Sequence, residues 1–122
     1  MSINVLAVDD SRTMRDMVRL ALLGAGIEAE VAEDGVHGLE VLDDMSPPDA
    51  IITDINMPRM DGFQFIDAVR AKDKYSAIPI LVLTTESATD MKLRAREAGA
   101  TGWIVKPFDP AKLVKAVRMV AG

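Results

Sequence analysis

Asp9 and Asp10 stand side by side directly after the apolar run Val5–Val8, where two carboxylates repel unless a cation gathers them. Asp54 follows a second apolar run, Ala50–Thr53, Thr84 a third, Ile80–Leu83, and Lys106 a fourth, Trp103–Val105. If those runs are parallel strands, three carboxylates, a hydroxyl and an ammonium meet at one edge of a sheet. Taken singly, most have an ordinary explanation: Asp10 or Ser11 caps a helix, Asp54 starts a turn, Thr84 is a β-former, Lys106 sits in solvent. Taken together, four strand ends with polar groups on one rim describe a site. Unit charges about 4 Å apart interact by about 4 kcal/mol at an effective dielectric near 20, so three crowded carboxylates take up protons or recruit a cation. The chain has no cysteine and one histidine, His37, so oxygen must do the ligating. Hard donors in small number suit Mg²⁺ better than Ca²⁺, and the EF-hand spacing is absent.

A magnesium ion beside a further carboxylate, with a lysine and a hydroxyl opposite, is equipment for phosphoryl transfer. In that reading Asp54 is the nucleophile and forms an aspartyl phosphate, while the ion and Lys106 stabilise the phosphoryl oxygens. The chain contains no G-x-x-x-x-G-K-[ST], no G-x-G-x-x-G and no G-x-S-x-G, so the phosphoryl group is expected to arrive on another molecule.

The elements that must position these residues are legible as patterns. Ile3–Val8, Ala50–Thr53, Ile80–Leu83 and Trp103–Val105 are continuous apolar runs, suited to strands covered on both faces, and Glu28–Ala32 alternates like a more exposed strand. Between them, Met14, Met17, Val18 and Ala21 predict one helical face; Leu39 with Leu42, then Phe63, Ile66 and Val69, then Leu113, Val114 and Val117 predict three more. Met91, Ala95 and Ala98 give Ser87–Gly99 a thinner stripe. Ser87 with Asp90 reads as a capping box, Asp109 before Pro110 as an N-cap ahead of a first-turn proline, and Gly24, Gly26 and Gly99 as helix stops. Strict β/α alternation implies a parallel sheet with helices on both faces, whose ligand crevice opens at the carboxyl ends of the strands.

With 122 residues and 49% hydrophobic composition, the chain is expected to be one domain, 1–122. No apolar run reaches the roughly 20 residues of a membrane span and no signal segment opens the chain, so a cytoplasmic protein without membrane attachment is expected. A net charge of −5 argues against nucleic-acid binding. Residues 87–122 nevertheless carry seven lysines and arginines against three acids, either as ordinary solvated faces or as a docking face for an acidic partner. His37 reads as a surface residue, and the eight scattered methionines as core filling.

Four stretches, "VDDS", "TDINMPRMDG", "PILVLTTES" and "GWIVKPF", together resemble the receiver domain of bacterial two-component response regulators, over the whole chain and in the family's order. Among receivers the chain is most similar to the single-domain chemotaxis regulators. The resemblance implies a flavodoxin-like (βα)5 three-layer sandwich with a five-stranded parallel sheet in the order 2-1-3-4-5. It implies phosphorylation of Asp54 by a CheA-like sensor histidine kinase, with Mg²⁺ held by Asp9, Asp10, Asp54 and the backbone carbonyl of Asn56. It assigns Thr84, Thr85 and Lys106 to the phosphoryl oxygens, Thr84 and Trp103 to the conformational switch, and Asn56 and Glu86 to the rate of dephosphorylation. A cis peptide bond at Lys106–Pro107 is also implied. Trp103 departs from the Tyr or Phe usual at its position, and Thr85 from the usual small residue.

Output, with no DNA-binding or enzymatic output domain, is then expected through a protein contact of a monomer: the flagellar motor switch, on the face around Lys92, Trp103, Lys112 and Lys115. Within the same class the chain would instead be a phosphate sink or phosphorelay intermediate. Outside it, a magnesium-dependent, aspartate-nucleophile phosphatase is disfavoured because Asn56 stands where that enzyme class needs a general acid. An FMN carrier would fit the fold but finds no aromatic pair at the strand ends.

Overall fold

β-branched and leucine-rich runs bounded by polar turns form the strands, and the amphipathic segments between them form the helices that cover both faces. The computed structural model describes residues 2–122. In chain order the elements are β1 (Asn4–Val8), α1 (Arg12–Gly24), β2 (Glu28–Ala32), α2 (Gly35–Asp44), β3 (Ala50–Thr53), α3 (Gly62–Arg70), a 3-10 turn (Asp73–Tyr75), β4 (Ile80–Thr84), α4 (Thr89–Ala98), β5 (Gly102–Val105) and α5 (Pro110–Ala121). All strand pairs are parallel and the order is β2-β1-β3-β4-β5, the flavodoxin-like arrangement expected.

The period-two alternation of each strand divides the core into two layers. Leu6, Val8, Ile51, Ile80 and Val82 face α2, α3 and α4, packing with Leu42, Phe63, Phe65, Ile66, Val69 and Ala95. Val5, Ala7, Ile52, Leu81 and Leu83 face α1 and α5, packing with Val18, Leu22, Leu113 and Val117. Each fully buried aliphatic or aromatic side chain contributes about 1.5–3 kcal/mol, so these two layers carry most of the stability. No helix among the described residues is long and apolar enough to cross a membrane.

Four expectations are corrected. Met17 is 46% exposed, and Leu22 takes its place in the α1 stripe, because the helix presents Met14, Val18 and Leu22 to the sheet. The Ser87–Asp90 capping box does not form: the N-cap of α4 is Ala88, with no side-chain hydrogen bond. β5 is covered only in part: it is the sheet edge, where Trp103 and Ile104 are half-buried against the two layers and Val105 is 40% exposed. His37 is half-buried at the start of α2, where its Nδ1 accepts the Glu33 N–H at 3.1 Å. Asp109 caps α5 ahead of Pro110 as read, and Gly99 ends α4 with φ 112°, a conformation open to glycine.

Candidate functional site

The sheet order reverses between β1 and β3, which lie side by side with Val8 opposite Thr53. The next residues on each strand, Asp9 and Asp54, therefore emerge together at the topological switch point, where open α/β sheets bind ligands. Backbone hydrogen bonds continue the ladder there: Asp54 N–H donates to the Val8 carbonyl at 2.9 Å and Asp9 N–H to the Ala32 carbonyl at 3.0 Å. Asp9 and Asp54 are buried and Asp10 is exposed. One carboxylate oxygen from each of the three lies within 4.8 Å of the others.

The two buried carboxylates divide their oxygens in the same way. Asp9 Oδ1 accepts the Ser11 N–H at 2.9 Å and Asp54 Oδ1 accepts the Ile55 N–H at 2.7 Å. Their Oδ2 atoms accept from Lys106 Nζ at 2.7 and 2.8 Å. Lys106 reaches them from the end of β5, its N–H bonded to the Thr84 carbonyl at 2.8 Å, and the Lys106–Pro107 bond is cis. Burial pushes the Asp9 carboxyl up from its ordinary range, against the opposing pull of Lys106 and the Ser11 N–H. For Lys106 burial works downward, yet the hydrogen bonds to Asp54 and Asp9 outweigh it and hold the ammonium above its usual value. Three carboxylates against one ammonium leave the rim negative. An all-oxygen donor set of that charge fits a hard divalent cation.

A second group surrounds Glu86. Asn56 Nδ2 donates to Glu86 Oε1 at 3.2 Å, Trp103 Nε1 donates to the Glu86 carbonyl at 2.9 Å, and the Glu86 N–H donates to Thr84 Oγ1 at 3.4 Å. The indole N–H is a donor that phenylalanine lacks, so the tryptophan ties β5 to the loop after β4. Thr84 is buried; Thr85 is exposed and its side chain joins neither group. Lys92 and Trp103 line one surface cleft of about 380 Å³ between α4 and β5, whereas Lys112 and Lys115 are exposed on α5, outside its lining.

Two features went unread in the sequence. Asp61 and Gln64 form a reciprocal capping box at α3, a D-x-x-Q pattern that was available. Asp34, 3% exposed, caps α2 and also receives the Arg59 guanidinium in a fork: Nε to Oδ2 at 2.8 Å, Nη2 to Oδ1 at 3.1 Å. That pairing holds the Asp34 carboxyl below the usual range. Nothing in the spacing of Asp34 and Arg59 announces it.

This fold, with an acidic rim closed by a lysine at the switch point, defines a phosphoacceptor signalling module, and the response regulator receiver domain family matches residues 5–118; the chain belongs to that family. It is of the chemotaxis, CheY type. It is 40% identical to the chemotaxis protein CheY1 of Helicobacter pylori (strain J99) over 119 residues, covering 97% of this chain and 96% of that protein. It is 38% identical to part of the sensor histidine kinase CheAY of Helicobacter pylori (strain 26695), covering 93% of this chain and 14% of the kinase. The solved structure of Vibrio cholerae chemotaxis protein CheY4 superposes with a TM-score of 0.93 at 46% identity, covering 98% of this chain and 99% of that one.

Proposed function

We propose that this chain accepts a phosphoryl group on Asp54 from the phosphohistidine of a CheA-like sensor histidine kinase, and signals through a phosphorylation-dependent protein contact in the cytoplasm. One observation carries the reading: a buried Asp54 carboxylate with one oxygen fixed by a backbone N–H and the other 2.8 Å from an ammonium, beside two further carboxylates. An Asp54 oxygen attacks phosphorus, the O–P bond forms as the N–P bond of the phosphohistidine breaks, and the imidazole nitrogen keeps the electron pair and takes up a proton. Lys106 stays positive through this step and offsets charge on the phosphoryl oxygens. Thr84 supplies its hydroxyl there. Asp9, Asp10, Asp54 and the backbone carbonyl of Asn56 would hold Mg²⁺, which when bound neutralises charge on the transferring group.

Asn56 and Glu86 flank the approach of hydrolytic water, and their mutual hydrogen bond supports a common role in setting a phosphate lifetime of seconds to minutes. Thr84 and Trp103 relay the change through Glu86, to which both are bonded. The output surface is the α4–β5–α5 face, where Lys92, Lys112 and Lys115 favour an acidic or amphipathic segment such as one from the flagellar motor switch.

The test follows Trp103 fluorescence and intact mass while MgCl₂ and then a small phosphodonor are added to the wild type and to Asp54→Asn. A phosphoryl mass on wild type that is absent from Asp54→Asn supports the proposal; labelling elsewhere, or none with Mg²⁺ present, overturns it. A motor-switch peptide that binds more tightly after phosphorylation separates motor regulation from a phosphate sink.

A further inference from the structure

The loop from Ile55 to Asp61 joins the acceptor strand to α3 and includes Asn56. Its base is closed by the Gly62 N–H on the Ile55 carbonyl at 2.8 Å. Its far side is fastened to the turn after β2 twice: by the Arg59–Asp34 fork, and by the Gly35 N–H on the Met60 carbonyl at 3.2 Å. The fit there is close, since a Cβ on Gly35 would stand 2.6 Å from Met60 Cγ.

β1 lies between β2 and β3 in the sheet, so this bridge straddles the strand end that carries Asp9 and Asp10. Arg59 makes the bridge from a left-handed backbone, φ 63°, unusual for a residue with a Cβ. Such a conformation persists only where surrounding contacts hold it. Asp34, although the α2 N-cap, does more than a cap requires: Oδ1 takes both the His37 N–H and Arg59, while Oδ2 takes Arg59 alone.

We infer that Asp34 and Arg59 form a positioning clamp that fixes the Asn56-bearing loop against the Asp9–Asp10 strand end and thereby sets the affinity of the acidic rim for a divalent cation. The inference rests on the metal site proposed above. A clamp acts through geometry, so loss of either partner weakens metal binding. Through-space charge acts otherwise: removing Arg59 would tighten cation binding and removing Asp34 would weaken it. The signs of the two effects therefore distinguish the mechanisms.

The experiment titrates MgCl₂ into the full chain by calorimetry, for wild type, Asp34→Asn, Arg59→Asn and the double variant, with thermal unfolding of each in EDTA. Asparagine caps a helix as well as aspartate does, and tolerates left-handed φ, so each single change removes the ion pair and spares the local backbone. Should Arg59→Asn not fold, Arg59→Gly replaces it. Each single variant is expected to weaken Mg²⁺ binding about tenfold, the low end for outer partners of a metal site, and the double variant no further. Opposite signs, or affinities within about twofold of wild type even where the melting temperature falls, would overturn the clamp. A wild type that takes up no Mg²⁺ would overturn the metal site itself.

Discussion

Lys106→Met keeps the apolar stem of the lysine and removes the charge that sits between two carboxylates. The side chains of Asp9, Asp54 and Lys106 are 7%, 10% and 9% exposed, so water screens them weakly. With carboxylate oxygens within 4.8 Å of one another, unit charges repel by about 3–4 kcal/mol at an effective dielectric of 20. Removal of one partner from a buried ion pair costs about 3–5 kcal/mol by the same physics. We expect the variant to lose about 3 kcal/mol in EDTA, which for a domain of this size lowers the melting temperature by about 12 °C. Protonation of Asp9 limits the loss, so it should shrink as the pH falls, in keeping with the upward push that burial gives this carboxyl.

A divalent cation replaces the missing charge. The gain in melting temperature between EDTA and about 10 mM MgCl₂ should therefore be larger for Lys106→Met than for wild type. Adding Asp54→Asn to the variant should restore stability without metal, because it removes one of the repelling charges. Calorimetric or dichroism melts of the four proteins, with and without Mg²⁺, make the measurement. Lys106→Met within about 1 kcal/mol of wild type in EDTA, or a Mg²⁺ gain no larger than that of wild type, would refute the view that charge crowding organises this rim.

Asp34 is held below its ordinary value of 3.8, first by the Arg59 hydrogen bonds, so the stability it contributes is full above that value and disappears as the pH falls through the folded-state value. Asp34→Asn should accordingly flatten the acid limb of a stability–pH curve below about pH 4 and leave its slope near neutrality unchanged. In Gly62→Ala the new Cβ would run into the Asp54 carbonyl oxygen and lie 2.8 Å from Ile55 Cα, both backbone atoms. That overpacking should cost about 1–3 kcal/mol in denaturant titrations and, by displacing the Asp54 backbone, slow phosphorylation by a small donor. Trp103→Phe removes the donor to the Glu86 carbonyl, a bond worth about 1 kcal/mol, and should speed amide exchange in the loop after β4 about fivefold by mass spectrometry, with the core strands unaffected.

The rim was readable because its members sit at places local pattern marks: Asp9, Asp54 and Lys106 each follow directly on an apolar run, and parallel strands deliver such residues to one edge. Contacts between loops were not readable. Arg59 and Asp34 lie 25 residues apart in two turns whose residue types suit any turn. The same holds for Arg70, whose guanidinium donates to the Gly99 carbonyl at 2.8 Å and to the Tyr75 and Ser76 carbonyls at 3.2 Å, joining the ends of α3 and α4. Met17 shows the limit of periodicity, for a stripe at i, i+3, i+4 specifies a face only to within one position.

The sequence by itself determined that strands and helices alternate, where each strand stops, and that acidic, hydroxyl and ammonium groups follow those stops, because hydrophobic period and turn chemistry are local properties of a chain. Only the tertiary structure decided that Arg59 reaches Asp34, that one ammonium is shared by Asp9 and Asp54, and that Trp103 reaches the Glu86 carbonyl. These depend on distances between residues far apart in the chain, set when two packed layers fix the sheet, and no one-dimensional pattern encodes them.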